Sequence, residues 1–199
     1  MAKLSTFQSI LDKNPYQLKD VQHQSLMWFN QEVRRLAKKK SRGVTPNKLI
    51  KDPAIELNPY VLPGGLYMFF YDPKHKKTLP YYDKFPMVFP FRKLPDGFIG
   101  LNMHYLPYRQ RFDLLAALQK NFMNKFITER TRMKISWELI QGMSRHKLAE
   151  PCVKRYLSNH VRSEFGRVPA TQWVSALMMP VARFQKQSES VVWRDSIYG

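Results

Sequence analysis

Leu66-Tyr67-Met68-Phe69-Phe70-Tyr71 is an unbroken apolar run, entered through Pro63-Gly64-Gly65 and left through Asp72-Pro73. A short aromatic run bounded by turn residues at both ends reads as a strand. Two more segments of this kind follow. Phe85–Phe91 has Pro86 near its start and Pro90 near its end, and Phe98–Tyr105 comes after the hairpin signal Pro95-Asp96-Gly97. Proline cannot donate to a ladder, so strands this short and this rich in proline do not build a broad flat sheet. They predict an α+β fold around a small, curved antiparallel sheet, specifically a compact SH3-like β-barrel core over about residues 64–106. In the first strand Tyr67, Phe69 and Tyr71 share one face, and Met68 and Phe70 share the other. Aromatic rings exposed beside lysines could stack bases. With barrel on one side and helices on the other, burial of both faces is the expectation.

Helices are expected on either side of this core. Residues 1–17 read as an arm or short helix ending at Asn14-Pro15. From about Asp20 to Lys40, Leu26, Phe29, Val33, Leu36 and Ala37 fall on one helical face, with Asp20 able to cap the start. Gly43–Pro63 holds four prolines and reads as a long connecting loop wrapping a surface or a partner. After Pro107, Phe112, Leu115, Leu118, Phe122 and Phe126 repeat at helical spacing. Further helices are expected over Ile135–Met143, roughly Pro151–Val161, and from Thr171 to Pro180 with Trp173, Ala176 and Leu177 inside. Val191-Val192-Trp193 reads as a docked strand or extended segment. The expected division is a basic N-terminal arm, helix and Pro-rich loop over 1–62, and a β-core with a helical C-terminal part over 63–199, together forming one compact domain.

Charge supplies the functional signal. Lys and Arg number 33 against 15 Asp and Glu, a formal net charge of +18. Between Arg34 and Lys51 stand eight basic residues and no acidic one. Such an excess repels itself, and a polyanion relieves it, so nucleic acid is the first partner to consider and an anionic membrane surface the second. Hydrophobic residues at 44% and aromatics at 14% exclude a disordered basic tail. The candidate phosphate contacts are Arg34, Arg35, Lys38, Lys39, Lys40 and Arg42, at a helix end with its following loop, and Lys74, Lys76 and Lys77 at the tip of a turn. No stretch approaches the about 18 apolar residues of a membrane span. The N-terminus lacks a signal-peptide pattern, so a soluble protein made in the cytoplasm is expected, without a membrane partner.

Catalytic signals are weak. Cys152 is the single cysteine and reads as a small buried hydrophobe. The five histidines are scattered, none at a spacing that pairs it with another His or with Cys152, so no metal and no cofactor is expected. Gly64-Gly65 leads into a strand and not a helix, which makes it a turn and not a phosphate loop. Asp72-Pro73-Lys74 superficially resembles an acid–lysine nuclease pair, with Asp52, Asp83 and Asp96 as possible second carboxylates for Mg²⁺. Asp followed by Pro is better read as the first two positions of a turn. A Mg-dependent nuclease is therefore the remote alternative, and a non-enzymatic role the expectation.

The segment from Pro63 to Lys74, then Leu79-Pro80-Tyr81-Tyr82-Asp83-Lys84-Phe85-Pro86, Gly97–Leu106, Tyr156–Ser163 and Trp173 with Met179–Phe184 resembles a family of small virion-associated proteins of contractile-tailed bacteriophages. The resemblance covers about residues 63–184 and carries over no binding or catalytic residue, because the matching motifs are fold determinants. It implies a DNA end protector, found in the virion, that holds the packaged genome end without reading its sequence. An alternative from a different class is a neck, tail or baseplate subunit whose positive surface meets acidic neighbours among the other phage structural proteins.

Overall fold

A computed structural model of the chain describes residues 44–111, 114, 128–145 and 147–198. The arm expected at 1–17 and the helix expected at 20–40 lie outside the described residues. So does most of the helix expected after Pro107, of which 108–111 and Leu114 are described and helical.

The described part of the stretch expected as a loop, 44–63, is not a plain loop. Thr45 accepts the Lys48 N–H and Pro46 stands in the first turn, where its missing donor costs nothing, so a short helix α1 forms over Pro46–Ile50. Leu49, Ile50 and Ile55 are buried, and strand β1 (Glu56–Asn58) follows. Pro63-Gly64 then makes a turn closed by Gly65 N–H to Leu62 C=O at 3.3 Å. Gly64 takes φ 87°, the left-handed value that the third position of such a turn requires.

Strand β2 (Leu66–Met68) begins immediately afterwards, β3 is Tyr82–Asp83, and β4 (Met87–Leu94) and β5 (Gly97–Asn102) form the hairpin joined at Pro95-Asp96. The β4–β5 register slips between Pro90 and Arg92, as a missing proline N–H requires. The third expected strand ends early. Asn102 accepts the His104 N–H on its side-chain oxygen and turns Met103–Tyr105 into a 3₁₀ segment.

Helix α2 (Glu129–Ser144) contains the segment expected at 135–143 and donates Trp137 Nε1–H to the Phe91 carbonyl on β4. The helix expected over 151–161 does not form. Pro151 lies inside a 3₁₀ stretch, Lys147–Cys152, and Val153–Leu157 is strand β6, with Tyr156 buried on one face of the sheet and Val153 packed into the core on the other. Strand β7 (Phe165–Val168) leads to α3 (Trp173–Met178), which stops before Pro180 as expected, and to β8 (Phe184–Gln185). The tail is a helix, α4 (Glu189–Tyr198), and not an extended segment: Val192 and Ser196, four apart, are buried on one face.

The main sheet is antiparallel, in the order β1-β7-β2-β4-β5-β6, with β3 and β8 pairing separately. It is strongly curled. Strands β7 and β5 are three places apart, about 14 Å in a flat sheet, yet the Phe98 and Phe165 rings are 5.8 Å apart. One isolated bridge, Tyr71 to Val161, returns the chain from β6 to the extension of β2. The edge strands β1 and β6 do not pair, so among the described residues the ladder stays open. The SH3-like barrel expected for 64–106 does not form, because the sheet draws half its strands from 56–58, 153–157 and 165–168.

Both faces of β2 are buried, as expected. Tyr67, Phe69 and Tyr71 enter an aromatic cluster with Val88, Phe98, Tyr156 and Phe165 inside the curl, while Leu66 and Met68 join the larger core beneath the helices. The curl brings β6 so close to β5 that a Cβ on Gly97 would lie 1.9 Å from the Tyr156 carbonyl oxygen. Gly97→Ala should therefore cost about 1–3 kcal/mol in chemical denaturation; unchanged stability would show that the β5–β6 approach is looser than described.

Candidate nucleic-acid interface

Of the candidate contacts, Arg34, Arg35, Lys38, Lys39, Lys40 and Arg42 lie outside the described residues. Lys74, Lys76 and Lys77 stand together on the loop between Asp72 and Asp83, all exposed. The loop is exposed but well held. Tyr71 N–H donates to the Lys84 carbonyl at 3.0 Å, which closes its base. Inside it, Thr78 and Leu79 both donate to the His75 carbonyl. Lys186, at φ 71°, reaches in from outside the loop and donates Nζ–H to the Lys77 and Leu79 carbonyls at 2.9 and 2.6 Å.

The three lysines are not equivalent. Lys76 Nζ is 2.9 Å from both Asp72 carboxylate oxygens, and that hydrogen bond holds the Asp72 carboxyl below its ordinary range. Asp72 is thus tied to its own loop, but the turn starts one residue later than expected: Lys76 N–H donates to the Pro73 carbonyl at 3.2 Å, so Pro73 and not Asp72 takes the first position. Lys74 and Lys77 carry no ion pair among the described residues. Lys84 and Arg162, which the sequence reading passed over, stand with Asn47, Asp72 and Lys76 around a shallow cleft of about 460 Å³. Neither belongs to a charge run, so only the fold reveals them. Of the other carboxylates considered for Mg²⁺, Asp52 accepts the Ala54 N–H and Asp96 pairs with Arg155 at 2.6 Å. Among the described residues no three His, Cys, Asp or Glu side chains cluster as a metal site. Burial pushes the Cys152 thiol up to about 12, which removes it as a nucleophile near neutral pH.

The far end of the loop is fixed by Asp83. Burial alone would raise its pKa. The His104 ring 2.6 Å away and the N–H groups of Phe85 and Arg183, each at 3.0 Å, outweigh that and hold the carboxyl below the ordinary value. His104 is anchored in turn: its carbonyl accepts from Arg111 at 3.1 Å and from Trp193 at 2.8 Å. The fully buried Arg111 also donates to the carbonyls of Leu106 and Leu177 and lies against the Tyr108 and Trp193 rings.

The chain matches a protein-family model described as Phage T4 terminal DNA protecting protein over residues 7–196. It belongs to that family. The match takes in the basic run beginning at Arg34, which the resemblance over 63–184 left out. No curated protein and no solved structure matches the chain. Membership makes this a phage protein of a DNA-protecting family, and no helix among the described residues is long and apolar enough to cross a membrane.

Asp83 generates a pH dependence. Its folded carboxyl lies below the ordinary value of 3.8, so its contribution to stability is complete above that pH and is lost as pH falls through the folded value. Asp83→Asn should lower stability by about 2–3 kcal/mol at neutral pH. The gap in Tm between the two proteins should close as pH drops below about 3.8. Thermal unfolding across pH checks this, and a gap independent of pH would contradict it.

Proposed function

We propose that this protein is a non-enzymatic virion component that binds and shields the ends of the packaged phage genome through phosphate contacts independent of base sequence. The observation that carries the reading is the family match over residues 7–196 on a chain of net charge +18. Neutralising phosphates releases condensed counterions, which gives affinity without sequence information. The proposed contacts are Arg34, Arg35, Lys38, Lys39, Lys40 and Arg42, with Lys74, Lys76 and Lys77 as a second patch. Lys84 and Arg162 extend that second patch. The braced loop favours it, because lysines on a fixed loop lose little order on binding.

A second reading has its own support. Leu57, Tyr60 and Leu62 are 46%, 60% and 42% exposed beside the sheet edge β1. Aromatic and aliphatic side chains next to an open edge suit a protein contact, as in a neck, tail or baseplate subunit. The two roles are compatible in one particle.

Salt titration of binding to short duplex DNA tests the primary reading. With about five phosphates neutralised, log K against log salt should have a slope of about −4 to −5. Changing Lys38, Lys39 and Lys40 together to alanine should make it shallower by up to ~3. Unrelated duplex sequences should bind alike. Binding insensitive to salt or to the triple change would leave the assembly role as the surviving account.

A further inference from the structure

The 72–83 loop also walls a second cleft, about 490 Å³ in volume, lined by the end of β5 and by the strand β6. Its volume lies in the range of about 300–1,000 Å³ typical of small-ligand sites. Lys154 of β6 holds its ammonium 4.3 Å from the centre of the Tyr105 ring. No carboxylate pairs with it among the described residues. Asp96 is taken by Arg155 at 2.6 Å, and the charge of Asp83 is spent on His104 and two backbone N–H groups. Burial pushes the Lys154 pKa down, the mark of an ammonium short of solvent and of a counter-charge. Lys74 stands on the rim with its side chain exposed, and Tyr81 and Tyr82 line the wall, half-buried.

An under-compensated ammonium, a second lysine and tyrosine rings around a cleft of this size match one ligand chemistry, an anion joined to a flat ring. We propose that this cleft receives a single terminal nucleotide of a DNA chain, its phosphate on Lys154 and Lys74 and its base against Tyr81 and Tyr82. This rests on the genome-end reading above and adds to it the element that reading lacks, a means of telling an end from the middle. A cleft for one nucleotide cannot take a base paired and stacked on both sides. At a terminus the base has a single stacking neighbour and opens most easily. Phosphate contacts along the basic surface are equally available anywhere on a duplex, so they give affinity, while the cleft gives end preference.

The test compares two short DNAs of equal length and sequence by fluorescence anisotropy, one an open-ended duplex and the other closed at both ends by hairpin loops. Wild-type protein should bind the open duplex about tenfold more tightly. Lys154→Met and Tyr81→Ala should each bring the open duplex down toward the closed one and leave binding of the closed one unchanged. Lys154→Arg should retain much of the preference, and unchanged Tm values would separate loss of the ligand contact from loss of fold. Equal binding of both DNAs by the wild-type protein, with the steep salt dependence intact, would overturn the terminal cleft and leave the phosphate-binding reading standing. Preference unchanged in Lys154→Met would also overturn it. Absence of binding to either DNA would remove both.

Discussion

A carboxylate taken out of water costs several kcal/mol unless its charge and its lone pairs are met. Asp83 meets the requirement by drawing two distant parts of the chain to its own turn. One oxygen accepts N–H groups from Phe85 and from Arg183, a hundred residues away in sequence, and the other faces the His104 ring. The His104 carbonyl then takes donors from Arg111 and Trp193, so the helical segments at 108–111 and 189–198 are tied to the same point. The basic loop, the sheet and the C-terminal helix share this anchor, which is why the loop that carries Lys74, Lys76 and Lys77 is held firmly although it is exposed.

That arrangement sets the loop beside two clefts. Toward Lys84 and Arg162 it presents a shallow basic surface suited to a phosphate backbone. Toward β6 it encloses a cleft with tyrosines and an under-compensated lysine. In the function proposed above, the first surface and the basic run at Arg34–Arg42 are the source of generic affinity, and the second, with room for one nucleotide, is the source of a preference for an end.

Much of the core was legible in the sequence because local signals agreed with the final packing. The alternation of Tyr67, Phe69 and Tyr71 against Met68, the hairpin at Pro95-Asp96 and the stop before Pro180 all appear where short-range chemistry put them. The errors fall where long-range pairing decides. Val153–Leu157 looks helical beside Pro151 and becomes a strand because β5 offers it an edge, with Gly97 permitting the approach. Val191–Trp193 looks like a strand and is helical because Val192 and Ser196 bury together. The open curl replaced the expected barrel because the sheet recruits β1, β6 and β7 from outside 64–106. The lysines on the 72–83 loop were visible as a charge cluster. Lys154 was hidden by the mistaken helix, and the Asp83–His104 contact links residues 21 apart, with no local spacing to betray it.

The most direct measurement is protection of a linear duplex against digestion from its ends. Linear DNA of arbitrary sequence is incubated with the protein and then with an exonuclease that acts from termini, beside a parallel reaction with an endonuclease that cuts internally. Digestion from the ends should slow strongly at one or a few protein molecules per end, whatever the terminal sequence, and recover as salt is raised. Internal cutting should continue under the same conditions. Ends degraded at the unprotected rate, or ends and interior shielded equally, would contradict the account of this protein as a binder of DNA termini.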